Sequence, residues 1–277
     1  MNPVLVRCLA LGLALCAAAA EAERISDVRN TKHNLSVTGP GPVKALTETQ
    51  VCVFCHTPHG ANTEVSAPLW NRALSGATYT PYTSSSIDAQ DIAATPGGSS
   101  KLCLSCHDGT LAIGTVNVAN GQANVTFPME GTGPGGTMPS GEWGELSGFT
   151  RRLGVDLTND HPISFTYDSA LAIADGELRN PSVEAHIGNR QPNFKPSAPL
   201  EGDKLECISC HDPHIRDSDA SKNIKFLRLN RFQVSPPVGG AFSESGDIVC
   251  VACHDKLGQA WATSAHADPI VADEMYQ

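Results

Sequence analysis

Apolar positions are concentrated at the start of this chain and scattered afterwards. Arg7 precedes the run CLALGLALCAAAA (8–20), and Ala20-Glu21-Ala22 closes it. A basic lead, an apolar stretch and an A-x-A ending predict a signal peptide over residues 1–22, cleaved after Ala22. The run is short for a bilayer span. Leu15 ahead of Cys16 fits a lipobox poorly, since a small residue is expected there. No later stretch is apolar and long enough to cross a membrane. The mature chain is therefore expected to be exported and free of membrane spans, at the outer cell surface or outside the cell, or alternatively in the periplasm.

Beyond residue 22, helical and strand periodicities are rare. The ISFTY end of LTNDHPISFTY (157–167) predicts a short strand, and KFLRLNRF (225–232) another. SALAIADGEL (169–178) predicts a helix, and FPMEGTGPGGTMPSGEWGELSG (127–148) a loop. The expected fold is mostly irregular, with short helical turns and few short strands. With 25 Gly, 19 Pro and only 5% aromatic residues, the side chains make a poor core. Such a chain needs disulfides, metals or a large apolar cofactor to organise it. The net charge of −10 argues against a nucleic-acid partner, which calls for a basic surface.

Cysteine spacing changes the picture most. Outside the predicted signal peptide the cysteines form four C-x-x-C pairs: Cys52/Cys55, Cys103/Cys106, Cys207/Cys210 and Cys250/Cys253. Each is followed at once by a histidine: His56, His107, His211 and His254. This is the c-type haem attachment pattern. Two thiols three residues apart can bond to the two vinyl groups of one haem, and the next residue then lies where its imidazole can bind the iron as proximal ligand. Zinc sites, a disulfide framework or redox dithiols also use C-x-x-C. None of them requires a histidine after every pair. Four covalently bound haem c groups are expected, supplying much of the apolar core.

The motifs alternate. CVFCHTPH (52–59) and CISCHDPH (207–214) carry a second histidine, whereas CLSCHD (103–108) and CVACHD (250–255) do not. A duplicated dihaem module follows: residues 23–127 hold haems 1 and 2, residues 190–277 hold haems 3 and 4, and a Gly/Pro-rich insert with a distal-ligand segment spans 128–189. If every iron takes two histidines, four distal ligands are needed. The candidates are His59, His214, His161, His33 and His266. His59 and His214 sit on the same short turn as a proximal ligand and can reach only a neighbouring haem. Pro162 stiffens the backbone beside His161. His186 in VEAHIGN reads as a surface residue. Five candidates for four positions leave one surplus or exchanged between subunits.

With these residues in hand, the chain resembles the doubled-CxxCH multihaem cytochromes, and more narrowly the tetrahaem outer-membrane cytochrome E type that polymerises into extracellular nanowires. TKHNLS (31–36), VCVFCHTPHGA (51–61), PLWNR (68–72), LCLSCHDGT (102–110), DLTNDHPISFTYD (156–168), LECISCHDPH (205–214), KFLR (225–228) and CVACHDK (250–256) carry the resemblance. It implies a stacked chain of bis-histidine haems and a homopolymer in which one subunit's histidine completes a haem in the next. By position, His33 is the first expected donor and His266 the second.

Three function classes follow. Iron held by two imidazoles has no open position, so an electron conduit is expected, exchanging electrons with other multihaem cytochromes or redox partners and performing no catalysis of its own. The alternative within that class is a monomeric or complex-docked carrier. A multihaem enzyme, such as a nitrite or hydroxylamine converter, would need a five-coordinate iron, and no motif departs from CxxCH. Serine-hydrolase, phosphate-loop and dinucleotide motifs are absent.

Overall fold

Regular structure is sparse and short. A computed structural model describes residues 24–65, 67–140, 151–188, 195–219, 224–233 and 241–255. Its strands are β1 (Arg24–Ser26), β2 (Lys44–Ala45), β3 (Thr115–Ala119), β4 (Gln122–Thr126), β5 (Met129–Glu130), β6 (Phe165–Thr166), β7 (Lys204–Leu205) and β8 (Ile215–Asp217). Its α-helices are α1 (Gly98–His107), α2 (Ser169–Asp175) and α3 (Cys207–Cys210). The chain is mostly irregular, in line with the expected fold class.

All the strands pair antiparallel in twos: β1 with β8, β2 with β5, β3 with β4, and β6 with β7. Only β3–β4 is a local hairpin. Asn120 (φ 51°) and Gly121 (φ 76°) are both left-handed, as a two-residue type I′ turn requires. The other pairs join distant segments. β1 lies against β8 with Arg24 opposite Asp217, and β6 lies against β7 with Phe165 opposite Leu205. The expected segment boundaries at 127/128 and 189/190 are thus crossed by backbone pairing, and α1 packs on α3.

The predicted helix over 169–178 forms as α2. Asp168 caps its start by accepting the Leu171 N–H (2.9 Å), and Gly176, at φ 73°, ends it. The ISFTY strand forms as β6. KFLRLNRF does not form a strand. Lys225 (φ 50°) and Phe226 (φ 60°) are left-handed, which breaks the extended backbone, and Leu227 and Asn230 make only isolated bridges. The Gly-rich loop contains β5 and a 3-10 turn at Pro134–Gly136, and its end beyond residue 140 lies outside the described residues.

Small apolar clusters replace a single core. Phe54, Val116, Ala119 and Phe127 bury together, with Cys55 at their edge. Val43, Ile113 and Met138 pack against Cys106, and Phe165, Tyr167, Leu200 and Leu205 against Cys253. Each of these three abuts a motif cysteine, whereas a fourth, of Tyr79, Leu104 and Leu157, does not. Among the described residues no helix is long and apolar enough to cross a membrane.

Candidate functional site

Three of the four C-x-x-C pairs sit on single turns: 3-10 helices at Cys52–Phe54 and Val249–Ala252, and α3. Motif two instead ends the longer helix α1. A single turn leaves its last carbonyls without intrahelical partners. At motifs one, three and four the same device satisfies them. A short segment forms an antiparallel bridge to the proximal histidine, pairing Trp70 with His56, Leu227 with His211 and Leu178 with His254. The residue after the bridge clamps the turn twice. Asn71 donates its N–H to the Cys55 carbonyl (2.9 Å) and its side chain to Val53 (2.6 Å). Arg228 donates to Cys210 (2.9 Å) and through Nε to Ile208 (2.7 Å), and Arg179 to Cys253 (2.7 Å) and Val251 (2.8 Å). At motif two the helix ladder takes over, with the Asp108 N–H bonding Leu104 (3.0 Å), and the Leu153 and Gly154 N–H groups of the docking segment both reach the His107 carbonyl (2.7 and 3.4 Å).

The same segments set the imidazole tautomer. His56 Nδ1–H donates to the Pro68 carbonyl (2.8 Å), His107 to Arg151 (2.5 Å) and His211 to Lys225 (2.9 Å). A carbonyl only accepts, so the proton is on Nδ1 and the Nε2 lone pair is left for a metal. Outside the motifs, His161 Nδ1–H donates to its neighbour Pro162 (2.8 Å), and His214 Nδ1–H to the Asp212 carboxylate (2.9 Å).

The histidines come together in twos. His214 stands 6.2 Å from His56 between ring centroids, with planes 20° apart. His33 stands 6.2 Å from His107 at 84°, and His161 stands 6.3 Å from His254 at 70°. A metal–imidazole bond of about 2 Å plus half a ring on each side puts two imidazole centroids across one metal ion about 6 Å apart. Each pair joins one motif histidine to one outside the CxxCH unit. Among the described residues no three His, Cys, Asp or Glu side chains converge on one point, whereas a tetrahedral zinc site needs four ligands. The eight motif cysteines are unbridged.

The remaining histidines differ. His211 has no histidine ring facing it among the described residues. His59 is exposed. His266 lies outside the described residues. His186, read from the sequence as a surface residue, is buried. Its Nε2 bonds the Ala252 carbonyl (2.8 Å) and its Nδ1 lies 3.6 Å from Glu184, so both nitrogens serve the fold. His33, the expected donor to another subunit, faces His107 of its own chain.

Electrostatics favours the neutral ring at four of these histidines. Burial lowers the pKa of His107, His161 and His211, and takes His33 down to about 4. His33 Nδ1 is buried without a well-formed hydrogen bond. The Pro213 carbonyl beside it, which pulls its pKa back up, does not meet hydrogen-bond geometry. His214 is raised by its bond to Asp212. The neutral ring is the form that binds metal.

Burial pushes the thiols of Cys55, Cys210 and Cys253 up to about 12. After burial the largest influence on Cys55 is Cys106, and on Cys210 it is Cys253. The Cys103 thiol is pushed up chiefly by the Cys207 sulfur beside it. The motifs are therefore neighbours in chain order: one beside two, two beside three, three beside four. Neither the family models nor the curated proteins compared with this chain give a match.

Proposed function

We propose that the protein is a tetrahaem c-type cytochrome that passes electrons through bis-histidine haems and acts as a subunit of an extracellular filament. The carrying observation is the set of three histidine pairs, each at the separation of two imidazoles across one iron and each including a CxxCH histidine. When bound, haem iron supplies a one-electron ferric/ferrous change. The chain's residues would do the rest. Carbonyls orient the rings of His56, His107 and His211, burial favours the neutral form of His107 and His211, and the docking segments fix each attachment turn. The small clusters around Cys55, Cys106 and Cys253 would become one core once porphyrins fill the space between them.

His211, which faces no histidine ring among the described residues, bears on assembly. His214 follows the third motif and faces the proximal histidine of the first. The internal repeat makes His59, after the first motif, its counterpart, so His59 would complete a haem at a third motif. His59 makes no ring contact with His211 of its own chain, so the recipient would be another copy.

Haem content of the purified protein, by pyridine haemochrome absorbance against protein mass, tests the cofactor. Four haems per chain support it, and none refutes it. Electron cryomicroscopy of haem-staining material from cells tests the assembly. Filaments with an unbroken haem chain and His59 crossing between copies would support the polymer. Discrete four-haem particles would make this a diffusing or docked carrier.

A further inference from the structure

One buried cation stands apart from the others. Arg72 is 2% exposed. Its Nη1 donates to the Ile113 carbonyl (2.6 Å), its Nη2 to Ala112 (2.9 Å), and its Nε has no partner. Among the described residues no carboxylate lies within ion-pair distance of it. The other two arginines beside motifs are compensated: buried Arg179 by Asp255 (3.2 Å) and Glu184 (3.9 Å), and half-buried Arg228 by Asp212 (3.2 Å). Removing a charge from water without a counterion is costly, so such groups are usually paired.

Arg72 sits at the junction of the first two motifs. It follows directly on Asn71, whose N–H bonds the Cys55 carbonyl (2.9 Å) and whose side chain bonds that of Val53 (2.6 Å). Ile113, whose carbonyl Arg72 holds, packs in the same cluster as Cys106. At the next junction the buried group has the opposite sign. Glu206, 2% exposed, accepts hydrogen bonds from Ser100 of α1 (2.5 Å) and from Ser164 (2.8 Å), immediately before Cys207.

We propose that Arg72 is a fixed cation that raises the reduction potential of the haem held by Cys52 and Cys55 above those of the others, so that an electron entering the chain comes to rest at the first motif. This rests on the haem reading above. A guanidinium keeps its charge at any working pH. Reduction removes one positive charge from a haem, so an uncompensated cation nearby, in a medium of low dielectric, favours the reduced form. The four sites would then not be equivalent, and the protein would hold its first electron at a defined end.

Spectropotentiometry of Arg72→Gln and Arg72→Lys, each with haem counted, tests this. Gln keeps an amide donor and loses the charge, and Lys keeps the charge. The expected result is a fall in the highest-potential component for R72Q of about tenfold in the ferrous/ferric ratio at fixed potential, about 59 mV for one electron, with R72K close to wild type. An unchanged highest component in four-haem R72Q, or an equal fall in R72K, overturns the proposal. Should R72Q lose haem, Ala112→Asp against Ala112→Asn places a counterion beside an intact Arg72. A fall in A112D alone supports the proposal, and no difference between the two overturns it. A wild-type protein without haem would instead refute the haem reading itself.

Discussion

His214 stands 6.2 Å from His56, though most of the chain separates them. The relationship ties the third motif's turn to the first motif's ligand set, and it makes the distal histidines separable by experiment. Replacing His214, His33 or His161 by Ala should each leave one haem five-coordinate. About one quarter of the haem in each variant should then bind carbon monoxide when reduced, beyond the share that wild type binds. His186→Ala should bind none beyond wild type. Carbon monoxide binding equal in all four variants would sink the pairing.

Ring orientation carries a second prediction. The planes of His56 and His214 are 20° apart, whereas those of His33/His107 and His161/His254 are 84° and 70° apart. Near-parallel axial imidazoles split the iron d orbitals strongly, and near-perpendicular ones leave them almost degenerate. Low-temperature electron paramagnetic resonance of the oxidised protein should show a rhombic low-spin signal from this pair and two strongly anisotropic ones, beside the signal of the haem at His211. His214→Ala should remove the rhombic signal. Its survival in that variant would contradict the assignment.

The clamp residues should matter for stability out of proportion to their size. Asn71 is fully buried, and besides Val53 it bonds the Val118 carbonyl (2.8 Å) and N–H (2.9 Å). Asn71→Ala leaves these groups unpaired, at about 1–3 kcal/mol for each buried one. A loss of about 2–4 kcal/mol is expected from urea unfolding of the haem-loaded protein. A loss below about 1 kcal/mol would show that water or rearrangement replaces the clamp.

Glu206 predicts a pH dependence. Burial raises its pKa above the ordinary 4.5, against the pull of its bonds to Ser100 and Ser164. Above that value the folded carboxyl still holds a proton that the unfolded chain has released. Its contribution is therefore full below 4.5 and declines as pH rises through the folded pKa. Glu206→Gln does not titrate and should flatten that decline. Urea midpoints of both proteins from about pH 4 to 7 check this, and parallel profiles would rule it out.

The chemistry was far more legible in the sequence than the scaffold that positions it. Every CxxCH unit is visible as spacing, as is α2 with its Asp168 and Gly176 caps. The β3–β4 hairpin is also legible, since Asn120-Gly121 between TVNVA and QANVT is a strong turn signal. The docking segments were not legible. Their bonds run through backbone carbonyls, and their shape depends on left-handed residues such as Leu69, Lys225 and Phe226, types that give no hint of it. KFLRLNRF looked like a strand because its composition fits one. His186 looked exposed because nothing local reveals that Ala252 and Glu184 enclose it.

The docking segments also differ in direction. Those of motifs one, two and three lie downstream of their histidines, whereas Leu178-Arg179 lies upstream of motif four. A chain threaded across a membrane from its amino terminus would deliver the first motif long before His214, its opposing ligand. The last motif would instead emerge to find both its clamp and His161 already waiting. Maturation would then run against the order of emergence: the earliest site to appear is held open until the third motif arrives, and the final site can close at once.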